Sequence, residues 1–491
     1  MSDEKKLSRR DFLWLSGATA AGALLAACQP AATPAPAEEP ADEPAEEPAE
    51  EPMEEPEEEP VEEPAPKDNV EISWWSFGIG WPAEEWPHGK WEGERADEYS
   101  AMENGVTIEY QALGWDMLTK WSTSVTAGTP PELVLRASHS RIKEAIDAGF
   151  GAEVMLEDDL LTDLSEGFVD AIKYRGKNYV VPFYIMAQGP ILNMDMVEEA
   201  GAEDMVPGLD GGDVKWQMDE WLELMKAISF ERDDGTPTYG YVIPTSASNP
   251  YVLWPIWLNM WNYGADTLKY EEGKGWSCAM ADDIGIEWLQ FMYDLYDVHG
   301  ITPLPSGLEN TVTGDYWDQN QNGWMVGPSI GMARQAGSSI DPETLVVTPP
   351  EGPRFKFMQH PTLGDRPSQH WGGPTLDVNQ LPYNTEKGVF PETVEFAHWL
   401  ANREHQAWAA QYVIPVRESA LATVADDPLI QWIASNWVPN ARLRNFSGCA
   451  KEEAEQWMVM WQKLFLPTDA TEAAQWYCEE VDRFGGCWYT D

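Results

Sequence analysis

Short apolar runs and stretches of three-and-four spacing take turns along most of the chain. "VEISWW", "GVTIEYQAL" and "PELVLRA" read as strands, followed later by "YVVPFY", "YGYVIP", "GWMVG", "LVVTP" and "TLDVNQL". Between them, "DEWLELMKAIS", "IGIEWLQFMYDLYDVH" and "PETVEFAHWLANREHQAWAAQY" place apolar residues at helical spacing. Strands alternating with helices predict an α/β architecture with largely parallel sheets and right-handed crossovers. In such sheets ligands sit at the carboxyl ends of strands. No internal repeat of solenoid or propeller period interrupts the alternation.

The N-terminus, up to Pro66, follows a different logic. Arg9-Arg10 followed by Phe12 and Leu13 has the form of a twin-arginine export signal. The apolar run from Phe12 to Ala27 is short for a bilayer crossing and flanked like the core of a signal peptide. Leu25-Ala26-Ala27-Cys28 resembles the lipobox of bacterial lipoproteins, which implies cleavage after Ala27 and a diacylglycerol on Cys28. Prolines then fall at 40, 44, 48, 52, 56, 60 and 64 among 15 carboxylates and no cation. Lost helix hydrogen bonds and mutual repulsion predict an extended tether over residues 28–66, long enough to hold a folded body on the order of 100 Å from a membrane.

Charge narrows the partners. The chain carries a formal net charge of −53; beyond Pro64 it holds 66 acidic against 27 basic side chains, a net of −39. Such a body repels phosphate backbones and anionic lipid heads, which excludes nucleic acid and broad membrane adhesion. With Cys28 reserved for lipid, Cys278, Cys449, Cys478 and Cys487 remain, an even number in an exported chain. One or two disulfides from three full pairings are open, the shortest loop joining Cys478 and Cys487.

The order of segments resembles the extracellular solute-binding proteins of ABC importers, in particular those that capture sugars. "SVTAGTPPELVLRAS" is similar to the family's helix, turn and strand, with Glu132 where Asp is commoner. "VVPFYIMAQGPILNMDMVEEAG" resembles the segment that crosses between lobes, with Leu192-Asn193-Met194 where Tyr-Asn-Lys is usual. "MDEWLELMKAI", "WLNMWNYGADTL" and "IPVRESAL" continue the order, and beyond about residue 425 the likeness fades. The resemblance implies a two-lobed, type II periplasmic-binding-protein fold with a hinge. Lobe I is expected over 67–187 plus about 358–405, and lobe II over 188–357 plus about 406–491, after a signal peptide over 1–27.

Several motifs invite chemistry. Gly327-Pro328-Ser329-Ile330-Gly331 matches the G-x-S-x-G turn of serine hydrolases, whose serine needs a base and an orienting acid; His370, His398 and His405 follow without a recognisable catalytic loop. The resemblance instead places this stretch as a Gly-Pro turn beside the ligand. "DQNQNG" sets Asp318, Asn320, Asn322 and Gly323 like the start of a calcium loop, but the twelfth position is Ser329 instead of Glu. His398 and His405 are seven apart on one expected helix and so share a face as partly exposed residues, without H-E-x-x-H.

Tryptophan supplies the last clue, with 26 residues. Sugar rings present C–H faces and hydroxyl edges, so their sites combine flat aromatic platforms with hydrogen-bonding groups. Trp74 and Trp75 end the first expected strand, Trp81, Trp86 and Trp91 fall in the loop beyond it, Trp115 follows the second strand, and Trp371 opens "WGGPTL" with Gly372 and Gly373. Trp254, Trp257 and Trp261 lie on one helix face, a spacing that serves core packing as well as stacking. Alignment to the family's strand ends adds Arg136, Ser138, His139, Tyr184 and Ser329, His139 serving equally as a structural histidine. These readings predict a non-enzymatic, monomeric lipoprotein without cofactor or metal, on the outer face of the cell membrane, that binds a carbohydrate by hinge closure and delivers it to a permease. A surface-anchored serine hydrolase is the alternative.

Overall fold

The computed structural model describes residues 69–483 except 77–86, 103, 114–119, 122, 125–126, 137–150, 165–168, 170–172, 175, 186, 210–213, 245–253, 272–274, 305–309, 369, 372–375, 381–387, 439–440, 443–449 and 467–468. The expected signal, lipidated Cys28 and tether lie outside the described residues. Pro64–Asp491 forms one compact unit, to which everything below belongs. No helix among the described residues is long and apolar enough to cross a membrane.

In chain order the sheet strands are β1 (Val70–Ser76), β2 (Val106–Ala112), β3 (Leu133–Arg136), β4 (Val180–Ile185), β5 (Gln188–Asn193), β6 (Tyr239–Tyr241) and β7 (Asn322–Ser329). They continue as β8 (Ser339–Ile340), β9 (Val346–Thr348), β10 (Phe355–Phe357), β11 (His370–Trp371), β12 (Leu376–Gln380), β13 (Ile414–Pro415) and β14 (Ala441–Arg442). The first sheet has the order β13-β4-β12-β3-β1-β2, and the second β8-β9-β10-β5-β7-β6 with β11 and β14 added beside β5. β1 is parallel to β2 and β3, as the alternation predicts, but β12 is antiparallel to both β3 and β4, and β13 is antiparallel to β4. The second sheet departs from that expectation: β5 is antiparallel to both β7 and β10, and β8, β9 and β10 form a meander. Short turns between Ile340 and Phe355 leave no room for a helical crossover, so consecutive strands pair directly.

Later strands alternate between the sheets: β11 pairs with β5 in the second, and β12 and β13 pair with β4 in the first.

Local chemistry explains the elements at the crossing. Asn193 ends β5, and its Oδ1 accepts from the amides of Asp195 and Met196, capping the helix Met194–Ala200. Gly201 closes that helix at φ 63°, a left-handed position that favours glycine. The Asn193 Nδ2 donates to Asn320 Oδ1 at 2.8 Å and to the Asn322 carbonyl at 3.1 Å. Asn322 Oδ1 in turn accepts from the Val242 amide. Asn320 and Asn322 of the calcium-like loop thus serve as scaffold.

Two cores flank the sheets. Around the first, Trp74, Phe183, Phe396 and Leu400 are buried. The "IPVRESAL" stretch is a staple there: Arg417, 4% exposed, donates to the Ala401 carbonyl and to Asp159 Oδ2, and Gln406 Oε1 accepts from the amides of Val416 and Arg417. Burial would raise the Asp163 carboxyl, but hydrogen bonds from Ser419 and the Arg417 guanidinium hold it below its ordinary range. Around the second sheet, the helix Asp283–Asp297 buries Trp288, Leu289, Met292 and Leu295 at helical spacing. Trp288 stacks on Trp457 at 5.9 Å and on Trp461 at 5.7 Å, and Trp257 meets the edge of Trp457. Cys278, at the end of the hairpin Leu268–Glu271/Gly275–Cys278, is bonded to Cys478 in the helix Ala470–Asp482. Of the three open pairings this selects one; Cys449 and Cys487 lie outside the described residues.

Candidate functional site

The first sheet presents the carboxyl ends of β1, β3 and β4 at Ser76, Arg136 and Ile185, where β12 begins opposite Ile185. Beneath the end of β1, Glu92 on the helix Pro87–Ala101 is fully buried and accepts from the Tyr110 hydroxyl at 2.6 Å. Desolvation pushes its carboxyl up to about 7, against the lowering effect of hydrogen bonds from Tyr110 and Ser76. Glu132, at the turn into β3, accepts from the Ser73 amide at 2.9 Å and is buried. It ties β1 to β3, a structural task for the residue that departs from the family pattern.

Just beyond Ile185, β4 gives way to β5 at Gln188. Ser329 at the end of β7 pairs with Gln188 on one side, and Trp371 of β11 pairs with it on the other. Trp371 is in turn in register with Arg442. Ser329, Gln188, Trp371 and Arg442 therefore form one row across four strands. The register shifts between Val326 and Ser329, and Gly327 carries that bulge at φ 143°.

The sequence-predicted residues divide by place. Trp74 is a correction: it is 0% exposed, with its ring 4.9 Å from Tyr110 and 5.4 Å from Phe396, and belongs to the core. Tyr184 is also buried, its ring 5.2 Å from Phe183. Trp91 lies in a helix instead of a loop and stacks on Trp408 at 4.7 Å. Trp257 and Trp261 are buried in the second core, so packing wins at those positions. Trp75 is half-buried, in register with Gln111 and Val134. Arg136 ends β3 in register with Val378, and Trp254 starts the helix Trp254–Tyr263; their backbones alone are described. Trp81, Trp86, Trp115, Ser138, His139, Gly372 and Gly373 lie outside the described residues.

The histidines are placed differently from the expectation. Phe390–Leu400 and Arg403–Ala409 are separate helices, because Asn402 caps the second by accepting from the His405 amide. His398 and His405 are therefore not on one helix, and both are buried, with ring contacts to the carbonyls of Met155 and Leu400 respectively. His370 precedes Trp371 in β11, two strands from Ser329.

Gln188 was missed by sequence reading. Its signal was an amide in the otherwise apolar "IMAQGPIL". Two cavities among the described residues lie elsewhere, one of about 450 Å³ beside Arg334 and Asp427, the other of about 400 Å³ beside Tyr99 and Trp399; neither is lined by the Gln188 row.

Residues 87–323 match the family model described as bacterial extracellular solute-binding protein. A maltotriose-binding protein from Pyrococcus abyssi is 24% identical over 46% of this chain, and the match spans about half, 53%, of that relative. Among solved structures, a Thermus thermophilus maltotriose-binding protein bound with maltotriose superposes with a TM-score of 0.63 at 17% identity, covering 84% of this chain and 100% of that one. An ABC substrate-binding protein from Listeria monocytogenes in complex with cycloalternan gives 0.65 at 13% identity, covering 85% and 100%. The chain has the two-lobed, type II α/β fold of these binding proteins.

Proposed function

We propose that this protein is the substrate-binding component of an ABC importer, which captures a sugar or oligosaccharide by hinge closure and passes it to a permease. The observation that carries the reading is the match of residues 87–323 to the solute-binding family, joined to a fold shared with proteins solved with maltotriose and cycloalternan. The row through Ser329, Gln188 and Trp371 supports it, since it lies where the chain passes between sheets. Trp75, Arg136, Ser138, His139, Trp115, Trp254, Gly372 and Gly373 complete the proposed lining. The protein is proposed to act as a monomer and without covalent chemistry, Ser329 offering a hydrogen bond at the Gly-Pro turn. Export through the twin-arginine signal and lipidation at Cys28 would hold it outside the cell membrane.

Thermal melting of the purified full chain with maltotriose, maltose, glucose, amino acids and polyamines tests the reading. A ligand at about 100 times its dissociation constant adds about 2.7 kcal/mol to native stability. A rise in melting temperature with a carbohydrate alone is expected; a rise confined to amino acids or polyamines overturns the sugar assignment. Ester or glycoside turnover lost in Ser329→Ala would favour the hydrolase alternative.

A further inference from the structure

The crossing strand carries two side-chain amides in contrasting settings. Asn193 is 0% exposed and fully engaged, accepting from two helix amides and donating to Asn320 and Asn322. Gln188, earlier on the same strand, is half-buried, whereas every other residue of β4 and β5 is buried. Its side chain forms no hydrogen bond among the described residues. The buried amides of Gln406 and Gln359 do: Gln406 bonds to Ala401, Val416 and Arg417, and Gln359 donates to Asn436. An amide offers donors and an acceptor at one point, and at a half-buried position these are open to water or to a ligand.

Register adds the neighbours. Gln188 is directly opposite Ser329 on one strand and Trp371 on another, and directly opposite positions in antiparallel strands are the closest lateral neighbours. A serine, an amide and an indole in one row combine the residue types that recognise a polyol: hydroxyl and amide for its edge, an aromatic for its C–H face.

We infer that Gln188 is a ligand-contacting, specificity-determining residue whose side-chain amide hydrogen-bonds a hydroxyl of the bound carbohydrate. The inference rests on the carbohydrate reading above. Asn193 is the matched scaffold amide, and its loss would act on folding.

Calorimetric titration of the purified full chain with maltotriose, maltose and glucose, together with melting of each variant, tests this. Gln188→Ala is expected to weaken binding about five- to 30-fold, the loss of one or two neutral hydrogen bonds, with the melting temperature unchanged. Gln188→Met fills the same volume without hydrogen bonds and should show the same loss. Recovery of wild-type affinity in Gln188→Met would assign the effect to packing and overturn the inference. So would wild-type affinity in both variants, while leaving the carbohydrate reading intact. Failure of the wild-type chain to bind any of the three sugars, or any other carbohydrate, would overturn both.

Discussion

Around the first sheet, buried polar side chains find partners: Glu92 accepts from Tyr110, Arg417 donates to the Ala401 carbonyl and reaches the exposed Asp159, and His405 meets Leu400 and Asn402. Around the second, the deep interior is aromatic, with Trp288, Trp457 and Trp461 stacked and a disulfide beside them. Several of the second sheet's charge pairs, such as Arg232 with Glu199 and Lys269 with Asp282, are partly exposed. The same layer architecture is thus stabilised in two ways, and the two lobes should answer to different stresses. Rising pH reaches the first through its buried carboxyl, whereas reductant reaches the second through its crosslink.

The largest break should come from Trp457→Ala, which empties the middle of the indole stack. A loss of about 3 to 5 kcal/mol is expected in urea unfolding, with the first-sheet network unaffected. Next, Cys278→Ser with Cys478→Ser should cost about 2 to 4 kcal/mol, because the bond closes a long loop in the unfolded chain. Reducing agent should lower the melting temperature of the wild type and leave that double variant unchanged.

Glu92 sharpens the contrast through pH. Its folded carboxyl titrates near 7 against an ordinary 4.5, so the folded chain holds the proton more tightly. The associated stability is complete below about pH 4.5 and is lost as pH rises through 7, by about 3 kcal/mol. Glu92→Gln should flatten that part of the stability profile between about pH 4.5 and 7; an unchanged slope would show that the proton is bound elsewhere. The smallest effect belongs to Arg232→Ala. Removing its bonds to Glu199 and the Asn320 carbonyl should cost about 1 kcal/mol, falling with added salt.

Much of the α/β scaffold was legible because its periodicity is strong. "VEISWW" falls on β1, "DEWLELMKAIS" on Met218–Ala227 and "IGIEWLQFMYDLYDVH" on Asp283–Asp297. The break between Leu400 and Arg403 was hidden, since a capping asparagine inside a helix-like run looks like one more polar position. β5 was disguised by Gly189-Pro190. The candidate site was less legible than the fold. A tryptophan at a strand end has the same letter whether it faces a ligand or the core, and Trp74 proved to face Phe396. The row at Gln188 depends on Trp371, a partner from a remote part of the chain, and no local pattern encodes that juxtaposition.

The strand order of the first sheet carries a kinetic consequence. β12 lies between β3 and β4, yet it begins at Leu376, long after β3 has ended at Arg136 and β4 at Ile185. During synthesis, β1, β2 and β3 can associate early, but the gap in the middle stays open until most of the chain exists. Loop-closure entropy must be met before that insertion is rewarded, which slows folding and leaves two strand edges waiting for a partner. The sheet is therefore half-built until Leu376–Gln380, a short segment from the last quarter of the sequence, takes its place between β3 and β4.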